Sequence, residues 1–309
     1  MIRWVISVAV VVGVAYALRG NIRKVRHEWG RVHFHPVWIL ACGVCLAGTS
    51  LVQLVIFRQL LKAYHGRLSW RGVVVASWVP TLGKYVVVKV GALAVTMYLL
   101  GRQGVSATVA LSVALIQDAL AVIAGLMVAA PLLRRVPLPP HFPRWLGLAA
   151  ALALGMVFLH PAVFPRLANR VLRLLRRPPL RTPIPLRIYA APVLITFGQW
   201  FFTGLALWCM IRSVARPPIS LWQAGLCMEI AALAMTTGYL AVFTLGGLGV
   251  QEWIIISSLT PIVGRVSAMV IAVTLRLVQT VVELSLSLLA LWLSRELARQ
   301  AGASQQSGH

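Results

Sequence analysis

Four stretches of this chain stay apolar for longer than most soluble core helices: Val37–Phe57, Ser106–Ala130, Ile188–Ile211 and Val266–Leu293. A helix crosses the ~30 Å hydrocarbon core of a bilayer with about 20 residues, so each run is long enough to span. Lipid offers the backbone no hydrogen-bond partners, which restricts apolar runs of this kind to helices. Two shorter runs, Val5–Leu18 and Trp145–Phe158, fit the same pattern. The first has no small-residue cleavage site before Arg19 and reads as a short membrane helix, not a signal peptide. The expected fold class is therefore all-α: a polytopic helical membrane protein with about six spanning helices. A mean hydropathy of +0.86 agrees. No polar stretch is long enough for a soluble domain, so residues 1–294 are expected to form one membrane domain. The polar tail, 295–309, is expected to fray.

Two further apolar stretches resist reading as continuous spans. Val73–Leu100 is broken by Pro80, Gly83, Lys84, Lys89 and Gly91. The other, Leu221–Leu259, contains Thr244-Leu-Gly-Gly-Leu-Gly-Val-Gln-Glu252, in which Gly246, Gly247 and Gly249 each cost a helix about 1 kcal/mol relative to alanine. Non-helical backbone at membrane depth is tolerated only against protein or a water-filled cavity. Both stretches are thus expected to be re-entrant helical hairpins lining a polar cavity. They also fall at corresponding places: 37–130 and 188–293 each read span, basic or Pro-rich turn, broken stretch, span. Leu68-Ser69-Trp70 precedes the first break, and Ile219-Ser220-Leu221-Trp222 the second. With both chain ends cytoplasmic, fifteen Lys and Arg lie on the cytoplasmic side and eleven on the other. The hairpins then enter from opposite faces as an inverted repeat, the arrangement that points to a midplane transport site.

The formal charge is +23, from 29 Lys+Arg against 6 Asp+Glu. The basic residues lie mainly in short loops between apolar runs, so the expected partner is an anionic headgroup surface and not nucleic acid. Seven ionisable residues fall inside apolar stretches: Lys84, Lys89, Asp118, Glu229, Glu252, Arg276 and Glu283. Each costs about 2.5–3.5 kcal/mol at the bilayer centre on insertion scales, which excludes unpaired exposure to lipid. Arg276 and Glu283 share one helix face two turns apart, too far to pair comfortably. Glu252 or Glu229 is the better partner for Arg276, with Glu252 favoured. Lys84 and Lys89 are placed to converge on an anionic group such as a lipid phosphate. Asp118, Glu229 and Glu283 are expected to support the site; mutual neutralisation that fixes helix register is the competing reading.

Covalent chemistry finds little support. The chain has no G-x-S-x-G, P-loop, H-E-x-x-H or D-x-D pattern. Cys42, Cys45, Cys209 and Cys227 all fall in apolar segments and read as buried, inert thiols. No catalytic residue, metal or cofactor is expected.

The sequence Gly246-Gly-Leu-Gly-Val-Gln-Glu252, followed by Leu275-Arg-Leu-Val-Gln-Thr-Val-Val-Glu283, resembles the lysylphosphatidylglycerol synthase transmembrane-region family of flippase-like integral membrane proteins. In the first half Leu82-Gly-Lys-Tyr85, Lys89-Val90 and Gly104-Val-Ser106 carry the same likeness. The resemblance covers roughly Trp38 to Leu293 and departs from the family pattern at Val87-Val88, Leu245, Gln251 and Ile116-Gln117-Asp118. It implies two re-entrant hairpins around a lipid cavity and movement of an anionic or lipid-linked substrate between leaflets. The substrate-binding set is then Lys84, Tyr85, Lys89, Gly246, Gly247, Gly249, Glu252 and Arg276. The soluble synthase domain of some members is not expected here. Two functions remain open: a lipid translocator in the cell (inner, cytoplasmic) membrane, or a non-catalytic subunit presenting a lipid-linked substrate to a separate glycosyltransferase. Expected partners are a membrane phospholipid or lipid-linked substrate, with a glycosyltransferase or a second copy of the chain beside it.

Overall fold

The computed structural model describes residues 34–64, 68–86, 88–135, 186–214, 220–240 and 249–306, together with 153, 166, 169, 170 and 173. The expected short helices Val5–Leu18 and Trp145–Phe158 lie outside these residues. Among the described residues every regular element is helical. Eight α-helices follow in order: α1 (Pro36–Ala63), α2 (Trp70–Val86), α3 (Val88–Gly101), α4 (Ala107–Ala129), α5 (Leu186–Val214), α6 (Ala224–Leu240), α7 (Val250–Val263) and α8 (Arg265–Gln306). Four segments are long and apolar enough to cross a membrane: Pro36–Ala63, Ala107–Leu132, Ala191–Val214 and Arg265–Ser294.

Local chemistry sets the helix ends. Pro36 opens α1, where its missing N–H is no loss. Ser69 and Ser106 accept the N–H groups of Gly72 and Val109 in the first turns of α2 and α4. Gly249, Gly104 and Gly264 precede α7, α4 and α8 with φ of +88°, +80° and +80°, a region that L side chains resist. At the far end α8 continues to Gln306, through most of the polar tail 295–309. The run Ser294-Arg-Glu-Leu-Ala-Arg-Gln-Ala301 consists mostly of strong helix formers and has neither proline nor glycine.

The helices α2 and α3 have 17 and 14 residues, and so do α6 and α7. At 1.5 Å per residue these are about 25 and 21 Å long, short of the ~30 Å hydrocarbon core. The α2–α3 pair folds back on itself, since the Gln103 amide reaches the Gly72 carbonyl at the far ends. The long helices α1 and α5 form the most extensive pairing, and they run antiparallel. His35 N–H donates to the Ser213 carbonyl (3.1 Å), Trp38 stands edge-on to Trp208 (5.4 Å), and the hydroxyls of Thr49 and Thr203 meet at 3.3 Å. Small residues permit these approaches, as expected where lipid supplies no hydrophobic drive between helices: Gly48 faces the Phe202 ring and Gly204 the Met228 backbone.

The principal packing pairs map onto themselves when α1–α4 exchange with α5–α8. The pair α2–α8 corresponds to α6–α4, α3–α4 to α7–α8, α4–α5 to α8–α1, and α1–α5 to itself. Two main apolar clusters are each drawn mostly from one half, with Ala290 of α8 joining the first and Cys42, Cys45 and Leu46 of α1 the second. Leu54, Leu60, Leu61, Val73, Leu100 and Ile116 fill the first. Leu207, Met210, Ile211, Ile230, Leu259 and Ile271 fill the second. The four cysteines are free and buried.

Candidate functional site

Where α1 and α5 cross, all eight helices contribute to a cavity of about 290 Å³. Its walls are far more polar than the apolar helices that build it. Thr49, Ser50 and Gln53 come from α1, Ser77 and Thr81 from α2, Thr96 from α3, and Gln117 and Asp118 from α4. From the second half come Gln199 and Thr203 of α5, Tyr239 of α6, Gln251 of α7, and Arg276, Gln279, Glu283 and Ser287 of α8. Polar groups gathered at this depth imply water or a polar ligand between them, because hydrocarbon would leave them unsolvated.

The cation at its edge is held in a fixed frame. Arg276 Nη1 donates to Gln251 Oε1 at 2.8 Å, and Arg276 Nε lies 3.7 Å from Glu252 Oε1. The other carboxylate oxygen of Glu252 accepts the Gly249 N–H at 2.7 Å, capping the first turn of α7. A carboxylate there also complements the positive end of that helix. Gln251 is buried against Gly238 on α6, and a Cβ at 238 would collide with its amide. One turn along α8 from Arg276, Gln279 Nε2 donates to Glu283 Oε1 at 2.9 Å. Arg276, Gln279 and Glu283 thus form one polar stripe into the cavity.

The favoured pairing of Arg276 with Glu252 is present. Glu252 itself lines a smaller recess of about 20 Å³ beside the main cavity, which shares Gln251, Arg276 and Gln279 with it. Asp118 and Glu283, assigned supporting roles from sequence, line the main cavity directly. Glu229 on α6 does not line it. The side chains of Lys84, Tyr85 and Lys89, and the residues Gly246 and Gly247, lie outside what the structure describes; Gly249 is the described glycine of that motif. The ionisable residues that the sequence singles out are only part of the polar lining. Gln53, Gln117, Gln199, Gln251 and Gln279, from five different helices, all face the cavity. An uncharged amide inside an apolar run was the available signal, since it too must avoid lipid. Among the described residues no group of His, Cys, Asp and Glu is arranged to hold a metal ion.

Comparison with curated proteins returned no match. The model of the family described as the lysylphosphatidylglycerol synthase TM region matches residues 4–287, nearly the whole chain. The match takes in every helix that lines the cavity, with only the distal part of α8 beyond it. This chain is therefore a member of the lysylphosphatidylglycerol synthase transmembrane-region family, an integral membrane protein of lipid metabolism or transport.

Proposed function

We propose that the protein moves an anionic or lipid-linked lipid between the leaflets of the cell membrane without altering it covalently. In this reading α2–α3 and α6–α7 are re-entrant hairpins that enter from opposite faces, and the two halves form an inverted repeat. The carrying observation is the polar cavity of about 290 Å³ at the crossing of the antiparallel helices α1 and α5. That volume holds about ten waters, enough for a headgroup while the acyl chains trail in lipid. The hairpin helices are too short to cross, which supports their ending at this cavity. The exchange symmetry of the packing supports two equivalent conformations, one open to each face. Arg276 offers positive charge to the headgroup phosphate. Asp118, Glu283 and the glutamines accept or share hydrogen bonds with the rest of the headgroup.

Purified protein reconstituted into vesicles with fluorescent anionic phospholipid tests this reading. Faster movement between leaflets than in protein-free vesicles, lost when the cavity is filled by mutation, is the expected result. Movement no faster than in protein-free vesicles overturns it and leaves the substrate-presenting subunit.

A further inference from the structure

Arg58 near the end of α1 and Arg212 near the end of α5 occupy matched positions outside the cavity. Each lies nine residues beyond the threonine at the α1–α5 crossing, Thr49 or Thr203. At 1.5 Å per residue each is about 13.5 Å from that crossing. Because α1 and α5 are antiparallel, the two arginines lie at opposite ends of the bundle, about 27 Å apart. The hydrocarbon core is ~30 Å thick, so each arginine reaches headgroup level on its own side.

Each lies against tryptophan. The Arg58 guanidinium stacks 3.7 Å from the ring centre of Trp70. The Arg212 guanidinium lies 4.7 Å from Trp38 and 5.0 Å from Trp208. Trp208 is in turn fixed by its indole N–H, which donates to the Ser220 carbonyl at 3.1 Å. Among the described residues neither arginine has an ion pair or hydrogen bond, and the Nε of each is buried without a partner. An arginine that merely anchored the protein at the interface would extend its whole guanidinium into water. Here a cation–π contact holds each group against tryptophan, and its Nε is withdrawn from solvent without a partner. A half-buried guanidinium whose Nε lacks a partner, with its planar fork beside a ring, suits a phosphate diester, which accepts two parallel hydrogen bonds. The aromatic shelves are not equivalent between the halves, whereas the arginines are. A second basic residue follows each four residues later in the sequence, Lys62 and Arg216.

We propose that Arg58 with Trp70, and Arg212 with Trp38 and Trp208, are two docking stations for the phosphate of a membrane lipid, one at each leaflet. Their assignment to opposite leaflets rests on the inverted repeat proposed above; the binding itself does not. A lipid waits at one station before its headgroup enters the cavity and leaves past the other.

The test uses the full chain in nanodiscs of digalactosyl diacylglycerol, a neutral lipid without phosphate. These carry a trace of phosphatidylglycerol with a photoreactive headgroup, and cross-linked peptides are read by mass spectrometry. Labelling is expected at two places, beside Arg58–Trp70 and beside Trp38–Arg212. Arg58→Gln should cut the first by about tenfold or more and spare the second, and Arg212→Gln the reverse. The spared station reports that each variant is folded. Arg→Lys at either position, which keeps charge but loses the stacked fork, should label at an intermediate level. Equal labelling by a photoreactive diacylglycerol lacking phosphate, or labelling indifferent to both Arg→Gln changes, overturns the proposal. Competition by excess inorganic phosphate overturns the lipid assignment in favour of a soluble anion. Sidedness is read separately with an impermeant maleimide on Lys62→Cys and Ser220→Cys in sealed vesicles, where the four native thiols are buried. Same-side labelling refutes the placement of the two arginines at opposite faces, and with it the pair of stations. Opposite-side labelling without phosphate-dependent cross-linking refutes the stations and leaves the repeat.

Discussion

The contact between Glu252 and Arg276 joins the first turn of α7 to the cavity stripe of α8, and a double-mutant cycle can measure it. At 3.7 Å and an effective dielectric of about 20, the gross Coulomb attraction is about 4.5 kcal/mol. Both side chains are mostly buried, 16% and 19% exposed, so desolvation offsets part of this. The net coupling should be about 1.5–3 kcal/mol. Glu252→Gln is the informative single change. Its side-chain carbonyl can still accept the Gly249 N–H, which preserves the helix cap while removing the charge. Arg276→Gln also gives up the bond to Gln251 and should cost more, about 3–5 kcal/mol. The assay is unfolding in mixed micelles titrated with a denaturing detergent, followed by the fluorescence of the 11 tryptophans. With the charge at 252 already gone, Arg276→Gln should cost less than it does alone, by the coupling energy. A coupling below about 0.5 kcal/mol would mean that the pair is too well solvated to hold α7, and the argument for a fixed cation at the cavity edge would fail.

Three further outcomes follow from the same geometry. Gly249→Ala forces an L side chain to φ +88° and should destabilise by about 1–2 kcal/mol in the same titration. Gly238→Ala drives a methyl into Gln251, and the resulting overpacking should cost about 1–3 kcal/mol and slow lipid movement by loosening Arg276. Thr203→Leu places a larger apolar side chain in the cavity beside Thr49. Lipid movement should fall by about tenfold, one barrier step of ~1.4 kcal/mol, with the unfolding midpoint changed little. Movement at the wild-type rate in that variant would exclude this cavity as the path.

The amino-acid sequence alone determined that this is a helical membrane protein, and it picked out the four runs whose helices are long and apolar enough to cross a bilayer; of the residues expected to interrupt the first broken stretch, Pro80 and Gly83 lie within α2. Run length against bilayer thickness is a one-dimensional property, and so is the cost of glycine or proline in a helix. The pairing of Arg276 with Glu252 was also legible, because a buried carboxylate needs a cation and few were available. Tertiary structure decided which faces point inward. The helices are apolar on all sides, so periodicity distinguishes no inner face. The convergence of Gln53, Gln117, Gln199, Gln251 and Gln279 on one cavity arises only from the packing of five helices. The same holds for Glu252, which the sequence placed in the cavity and the structure sets in an adjoining recess as the cap of α7. Nor does the sequence pair Arg58 with Arg212. Their correspondence exists only because α1 and α5 run antiparallel and cross at Thr49 and Thr203, so that equal distances along the chain become opposite ends of one bundle.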